Sequence, residues 1–382
     1  MDVDAIWQNA LASARSGRSL SGARCVTDDA ERTRRTARDH GEGHMGTGRP
    51  PTIKTVAARA GVGRTTVSRV LNGSPLVSEK AKAAVEAAIA ELNFVPSSVA
   101  RGLVTRRTNS IALVIPESES RLGAEPYFSA VIRGVSTGLA ATQTQLQIVL
   151  VRDKSELDHL TEAVAARRVD GVLLVSVHRD DPLPDLLEGF GLPTVLAGRR
   201  SAAEPLSHAH SDNLGGAKAA VRHLLDRGRE RIATITGPLD MEVGRARLQG
   251  WREALTEAGR PPDGELVAVA DFTEEGGRRA MVELLAQAPD LDAVFVASDV
   301  MAAGVLLELR ASGKRVPEDI AVVGFDDSMI ARHTNPPLTS VRQPVEQIGS
   351  TIAQMLLEEI ATPGTPRRCV LLPTELVVRE SS

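Results

Sequence analysis

Aromatic residues are scarce in this chain: six Phe, two Trp and one Tyr among 382 residues. Ala, Val and Leu must therefore fill its cores, and a 42% hydrophobic content supplies enough of them for two or three domains. Only two cysteines occur, Cys25 and Cys369, far apart and without metal-ligand spacing. That pair excludes a disulfide framework and fits a reducing compartment. No apolar run approaches the length of a membrane span. The N-terminal stretch MDVDAIWQNALASARSGRS opens acidic and lacks the apolar core of a secretory signal. A soluble, cytoplasmic protein with no membrane contact is expected.

Catalytic patterns are missing as well. Asp326-Asp327 could pass for an acid/base pair, but neighbours in a strand point to opposite faces. Gly215-Gly216 lacks the Lys-Ser/Thr and the longer glycine pattern of a phosphate loop, so close packing is its simpler use. His208 and His210 can face one side of a strand, yet no third ligand follows at a suitable spacing. Neither an enzyme nor a metal or other cofactor is expected.

What is present is a charge asymmetry hidden by the net charge of −4. Between Arg49 and Ser110 stand ten Lys/Arg against three Glu, a balance of +7; residues 1–48 hold seven Arg and seven acids, leaving −11 for the rest. A basic head on an acidic body suits a polyanion-binding module joined to one that binds something else. Residues 1–48, rich in Arg, Ser, Gly and Asp with little periodicity, read as a disordered extension. An additional DNA-binding arm through Arg32, Arg34, Arg35 and Arg38 is the competing reading, which the balanced charge disfavours.

The basic head contains TIKTVAARAGVGRTTVSRVLNG, Thr52–Gly73. Ile53, Val56, Ala57 and Ala60 recur at helical spacing behind a plausible Thr52 cap, and Gly61 breaks that helix. A second helix from about Arg64 to Leu71 turns Val67, Val70 and Leu71 inward and Arg64, Thr65, Ser68 and Arg69 outward. In a helix-turn-helix, those outward residues meet base edges in the major groove. A basic αα-hairpin without that role would show the same pattern. Ser78 then caps a third helix, SEKAKAAVEAAIAELN, with Ala84, Val85, Ala88, Ile89 and Leu92 on its apolar stripe.

Beyond Ser110, apolar runs alternate with amphipathic helices. Strands are expected at Ile111–Ile115, Leu146–Val151, Gly171–Val175, Thr194–Ala197, Arg231–Thr236, Glu265–Ala270, Ala293–Ala297 and Ile320–Phe325. Helices are expected at Asn213–Arg227, Arg245–Ala258, Glu274–Ala286 and Asp299–Ser312. The pattern predicts α/β architecture with two parallel sheets covered on both faces.

With TVSRVLNG, ELNFVP, SSVARGL (residues 97–103), TGPLDMEVGRARLQGW and VVGFDD in this order, the chain resembles the LacI/GalR (lactose-repressor) family of bacterial transcription regulators from Thr52 to about Arg379. The resemblance implies four regions: an extension (1–48, either a start misassigned ahead of Met45 or a dispensable tail), a helix-turn-helix head (49–96), a hinge segment (97–109), and a two-lobed body like periplasmic sugar-binding proteins (110–382). The chain would cross between lobes near Ala209, Pro344 and Leu372. It further implies a homodimer on double-stranded, pseudo-palindromic operator DNA, with a small molecule, most simply a sugar, between the lobes; a nucleobase corepressor is the alternative. A solute-binding protein or a sugar enzyme is a distant rival.

Thr52, Lys54, Arg64, Thr65, Thr66, Ser68, Arg69, Asn72 and Arg101 are the expected DNA contacts, with Leu103 wedged into the minor groove from the hinge. For the effector, strand ends are the place to look. They offer Tyr127, Phe128, Ser176, Arg199, Arg247, Ser298 and Asp326. Arg247, four residues before Trp251, matches the family arginine that holds hydroxyls or carboxylates; Arg245 is expected to be structural. Asp299 is expected to cap a helix or support a dimer. Gly198, where some members have aspartate, and Pro344-Val345, where some have a polar residue and an aromatic ring, leave the effector open.

Overall fold

The computed structural model describes residues 51–71, 74–94 and 107–382. The head and the body, the latter from Thr108 to Ser382, are separate compact units. Asn72, Arg101, Leu103 and nearly all of the hinge segment lie outside the described residues, as does the 1–48 extension.

In the head, α1 (Ile53–Ala60), α2 (Arg64–Leu71) and α3 (Glu79–Glu91) close over a small core of Val56, Ala57, Val67, Val85, Ala88 and Phe94. Thr52 caps α1 by accepting the Thr55 N–H, and Thr55 returns the bond to complete a capping box. Gly61 ends α1 in the left-handed region at φ 67°, a conformation that costs a side-chain-bearing residue. Ser78 caps α3 through the Ala81 N–H, and Arg59 pairs with Glu91 to tie α1 to α3.

The body contains two six-stranded sheets. The first has the order β11-β5-β4-β3-β1-β2, built from β1 (Ser110–Ile115), β2 (Gln145–Leu150), β3 (Gly171–Val175), β4 (Thr194–Ala197), β5 (Ser207–Ser211) and β11 (Cys369–Leu372). The second has the order β12-β10-β9-β8-β6-β7, from β6 (Ile232–Thr236), β7 (Val267–Val269), β8 (Ala293–Val296), β9 (Ala321–Asp326), β10 (Thr339–Arg342) and β12 (Glu375–Val377). Pairing is parallel except between β10 and β12. Helices α4 (Glu119–Ala124), α5 (Pro126–Leu139), α6 (Lys154–Ala165), α7 (Leu183–Gly189) and α13 (Val345–Ala361) belong to the first lobe. The second lobe has α8 (Asn213–Asp226), α9 (Glu242–Glu257), α10 (Glu274–Gln287), α11 (Asp299–Ala311) and α12 (Met329–His333).

Each lobe has its own core, and with aromatics scarce most of it is aliphatic. The largest of the few aromatics there is Trp251; fully buried, it donates its indole N–H to the Ile232 carbonyl. Backbone closeness replaces bulk between α5 and α13, where a Cβ on Gly134 would run into the Glu346 carbonyl.

The eight expected strands exist, seven within one residue of the expected bounds; Glu265–Ala270 opens as a 3-10 turn, Gly264–Leu266, before β7. The four unexpected strands, β5, β10, β11 and β12, are short and flank the lobe crossings. The crossings themselves fall at Asp212, between β5 and α8; at Gln343-Pro344, between β10 and α13; and at Pro373-Thr374, between β11 and β12. The first lies three residues after the expected Ala209, which is buried inside β5. Among the described residues no helix is long and apolar enough to cross a membrane.

Candidate functional site

The head presents an exposed row at the start of α2. Arg64, Thr65 and Arg69 are exposed, Thr66 and Ser68 half-buried, and Val67 fully buried. A buried Val67 fixes the rotation of α2 and so turns Thr65 and Arg69, each two positions away, onto other faces, while Arg64 is exposed in the first turn at the open end of the helix. The Gly63 carbonyl accepts the Thr66 and Val67 N–H groups, starting the helix at the expected place. Thr52 and Lys54 are exposed on and beside α1, Thr52 being engaged in the capping box.

The cleft of the body is lined from both lobes. Arg247 comes from α9 and lies at its floor, only 4% exposed. Its Nε donates to Asn213 Oδ1 (2.9 Å), its Nη1 to the Ala297 carbonyl, and its guanidinium lies 3.8 Å from the Phe325 ring centroid. Nη1 is also 3.8 Å from Asp326 Oδ1, which accepts from Gln343 Nε2 at 2.6 Å. Asp326 ends β9 at φ 115°, a strained backbone position for an aspartate. Burial pushes its carboxyl up to about 6 even against the Arg247 charge. Burial likewise lowers the Arg247 pKa, against the opposing charge of Asp326.

Of three other acids, Glu125 lines the cleft, and Glu117 and Asp299 lie behind its wall. Glu125 bonds Arg121 Nε at 3.0 Å, and burial lifts its carboxyl to about 7 despite that arginine. Glu117 accepts from Ser176 Oγ at 2.6 Å and from Arg121. Burial opposes its charge, but hydrogen bonding to His178, the Arg121 charge and the Ser176 hydroxyl outweigh it and hold the pKa down. Asp299 is fully buried and accepts from Ser340 Oγ (2.6 Å) and the Ser328 N–H (2.7 Å). Burial, then the nearby Asp326, raises its pKa.

Contacts between the lobes bridge the cleft. His178, beyond β3, bonds Asp240 of the loop before α9, and the Arg179 N–H donates to the Asp240 carbonyl at 2.9 Å. Arg199 pairs with Glu242 at 3.4 Å, and Arg245 donates to the Arg200 carbonyl at 3.2 Å. Arg121 lies 5.2 Å from the Phe272 ring centroid.

The expected effector residues divide accordingly. Tyr127, Ser176, Arg199, Arg247 and Asp326 line the cleft together. Phe128 does not: at 1% exposure it packs in the first lobe's core, edge-to-face against Tyr127. Ser298 is the N-cap of α11, spending its hydroxyl on the Met301 N–H. Arg245 is structural, bonding Glu242 and the Leu239 carbonyl besides Arg200. Arg121, Glu125, Asn213, Phe272 and Gln343, which also line the cleft, were missed by sequence reasoning, as was Glu117 behind Ser176. Most sit in turns or helix ends without a periodic pattern, although Glu125 precedes the noted Pro126-Tyr127-Phe128. Phe272 supplies an aromatic ring that Pro344-Val345 cannot, and Gly237 makes room for it, since a Cβ there would meet that ring.

Comparison with known proteins gives this geometry its family. Residues 52–97 match the model of bacterial regulatory proteins of the lacI family, and residues 221–382 that of a periplasmic binding protein-like domain. The chain is 50% identical over 337 residues to the HTH-type transcriptional regulator CelR of Thermobifida fusca, covering 87% of this chain and 98% of that protein. The chain belongs to the lacI family. Among solved structures it is similar to a transcriptional regulator CelR–cellobiose complex, with a TM-score of 0.70 and 47% identity over 87% of this chain and all of that one. It is also similar to the lac repressor dimer bound to operator and the anti-inducer ONPF, with a TM-score of 0.76 and 28% identity over 87% of this chain and 99% of that one. This lacI-family member is a DNA-binding transcription regulator, not an enzyme, and its helical head and two-sheet body are the expected architecture.

Proposed function

We propose that this regulator is a cytoplasmic repressor that binds a pseudo-palindromic operator as a homodimer and is controlled by a disaccharide of the cellobiose class held between its lobes. The observation that carries the effector reading is the Arg247–Asp326 pair, 3.8 Å apart and flanked by Asn213 and Gln343. Fixed donors and acceptors in alternation grip vicinal hydroxyls, while Phe272 and Tyr127 offer ring surfaces to a sugar face. The bound ligand named for the similar CelR structure is cellobiose, which agrees in chemistry.

On the DNA side, Arg64 and Thr65 read base edges with Arg69 next, and Thr66, Ser68 and Asn72 support them. Lys54 and Arg101 neutralise phosphates, and Leu103 of the hinge segment wedges into the minor groove. The sugar acts by preferring one lobe arrangement over another, because only a difference in affinity between two states shifts their balance. A thermal-shift screen of disaccharides, monosaccharides and purine bases, with hits retested against operator in gel shifts, tests this. A cellobiose-class hit that changes operator affinity is expected; a hit confined to purine bases would replace the sugar by a nucleobase.

A further inference from the structure

We infer that His208, His210 and Cys369 form a binding site for a divalent transition-metal ion of the zinc class. Cys369 pairs in register with His208 across the parallel β11–β5 ladder. His210, two residues on, projects from the same face of β5 as His208. One ligand atom from each of the three residues lies within 4.8 Å of the other two. Cys369 Sγ is 3.7 Å from His210 Nε2, against about 3.6 Å for sulfur and nitrogen bound to one tetrahedral zinc ion at ordinary bond lengths.

Both imidazoles are already oriented as ligands. His208 donates its Nδ1–H to the Leu206 carbonyl at 2.8 Å, and His210 donates its own to the Ser211 carbonyl at 3.0 Å. Backbone acceptors on Nδ1 fix the tautomer that leaves the Nε2 lone pair free, the usual outer-shell arrangement of a metal-binding histidine. The rings stack with centroids 5.6 Å apart and planes 23° from parallel. His208 is 5% exposed, and its Nε2 is buried without any hydrogen-bond partner. A Cys369–His210 hydrogen bond would account for the 3.7 Å contact but leaves that nitrogen unsatisfied; a metal ion satisfies all three groups.

Access exists, because His210 and Cys369 open onto a groove of about 680 Å³ that leaves a fourth coordination position for water. Such an ion would clip β11 onto β5, the two strands that lead into crossings at Asp212 and Pro373-Thr374.

The test uses the full chain carrying Cys25→Ser, stripped of metal and titrated with Co²⁺ and, in competition, Zn²⁺. One equivalent should bind with a sulfur-to-cobalt charge-transfer absorption. Cys369→Ser should abolish that band, and Cys369→Ser or His210→Ala should each weaken Zn²⁺ binding by at least about 100-fold while the circular dichroism is unchanged. Both residues line the groove rather than the core, so the variants keep the fold; Cys369→His, which retains a ligand atom, should recover part of the affinity. Absence of stoichiometric binding, or a Cys369→Ser protein with unchanged Zn²⁺ affinity, overturns the site. Neither readout depends on the sugar or the operator.

Discussion

His178 Nδ1 lies 2.6 Å from Asp240 Oδ2, joining the two lobes over the cleft while Glu117 of its own lobe faces its other nitrogen at 3.9 Å. The facing Glu117 carboxylate, opposed by burial and reinforced by the hydrogen bond to Asp240, pushes the imidazole up to about 9. The charged ring therefore tightens the closed form. Its contribution is complete below the free value of about 6.5 and disappears as pH rises through about 9. Melting temperatures of wild type and His178→Gln should converge between those two values. Glu125 and Asp326 titrate in both proteins and so drop out of the difference. Curves that stay parallel from pH 6 to 10 would remove His178 from closure.

Arg247→Ala should abolish the effector response and leave operator binding intact. Among the described residues the arginine is the only cation within 4 Å of Asp326, and its loss also strands Asn213 and the Ala297 carbonyl. Breaking a buried charged contact of this kind costs about 3 kcal/mol, more than a hundredfold in sugar affinity by calorimetry. A variant that still releases operator on adding the sugar would displace Arg247 from the site.

Arg64→Ala should weaken operator binding by about 1–3 kcal/mol and relax specificity at one base pair, as judged by competition among single-base operator variants. Lys54→Ala should weaken all sequences alike and reduce the salt dependence. Leu103→Ala is expected to keep the fold and the effector affinity but sharply weaken operator binding in a gel-shift titration; unchanged binding would take the hinge leucine out of the mechanism.

Gly134→Ala should destabilise the first lobe by about 1–3 kcal/mol in urea unfolding, because the new methyl meets the Glu346 backbone rather than a side chain that can move. An unchanged midpoint would mean that α5 and α13 separate at no cost.

The sequence by itself determined the elements whose side chains repeat. Val67 behind Arg64 and Thr65, the Thr52 and Ser78 caps, and the buried runs of β1, β3, β8 and β9 all follow from local periodicity and capping chemistry. The resemblance added Arg247 and Asp326 for the same reason, since both lie in contiguous motifs. Only the tertiary structure decided that Phe128 is core and Tyr127 cleft, because adjacent helical residues are separated by which face meets the sheet. It also supplied Phe272, Glu125 and Gln343 to the cleft, and it brought Cys369 beside His208 and to His210 across 159 residues of chain. Short crossing strands such as β5 and β11 carry too few residues to show a period, and their partners are chosen by sheet order, which no local pattern encodes.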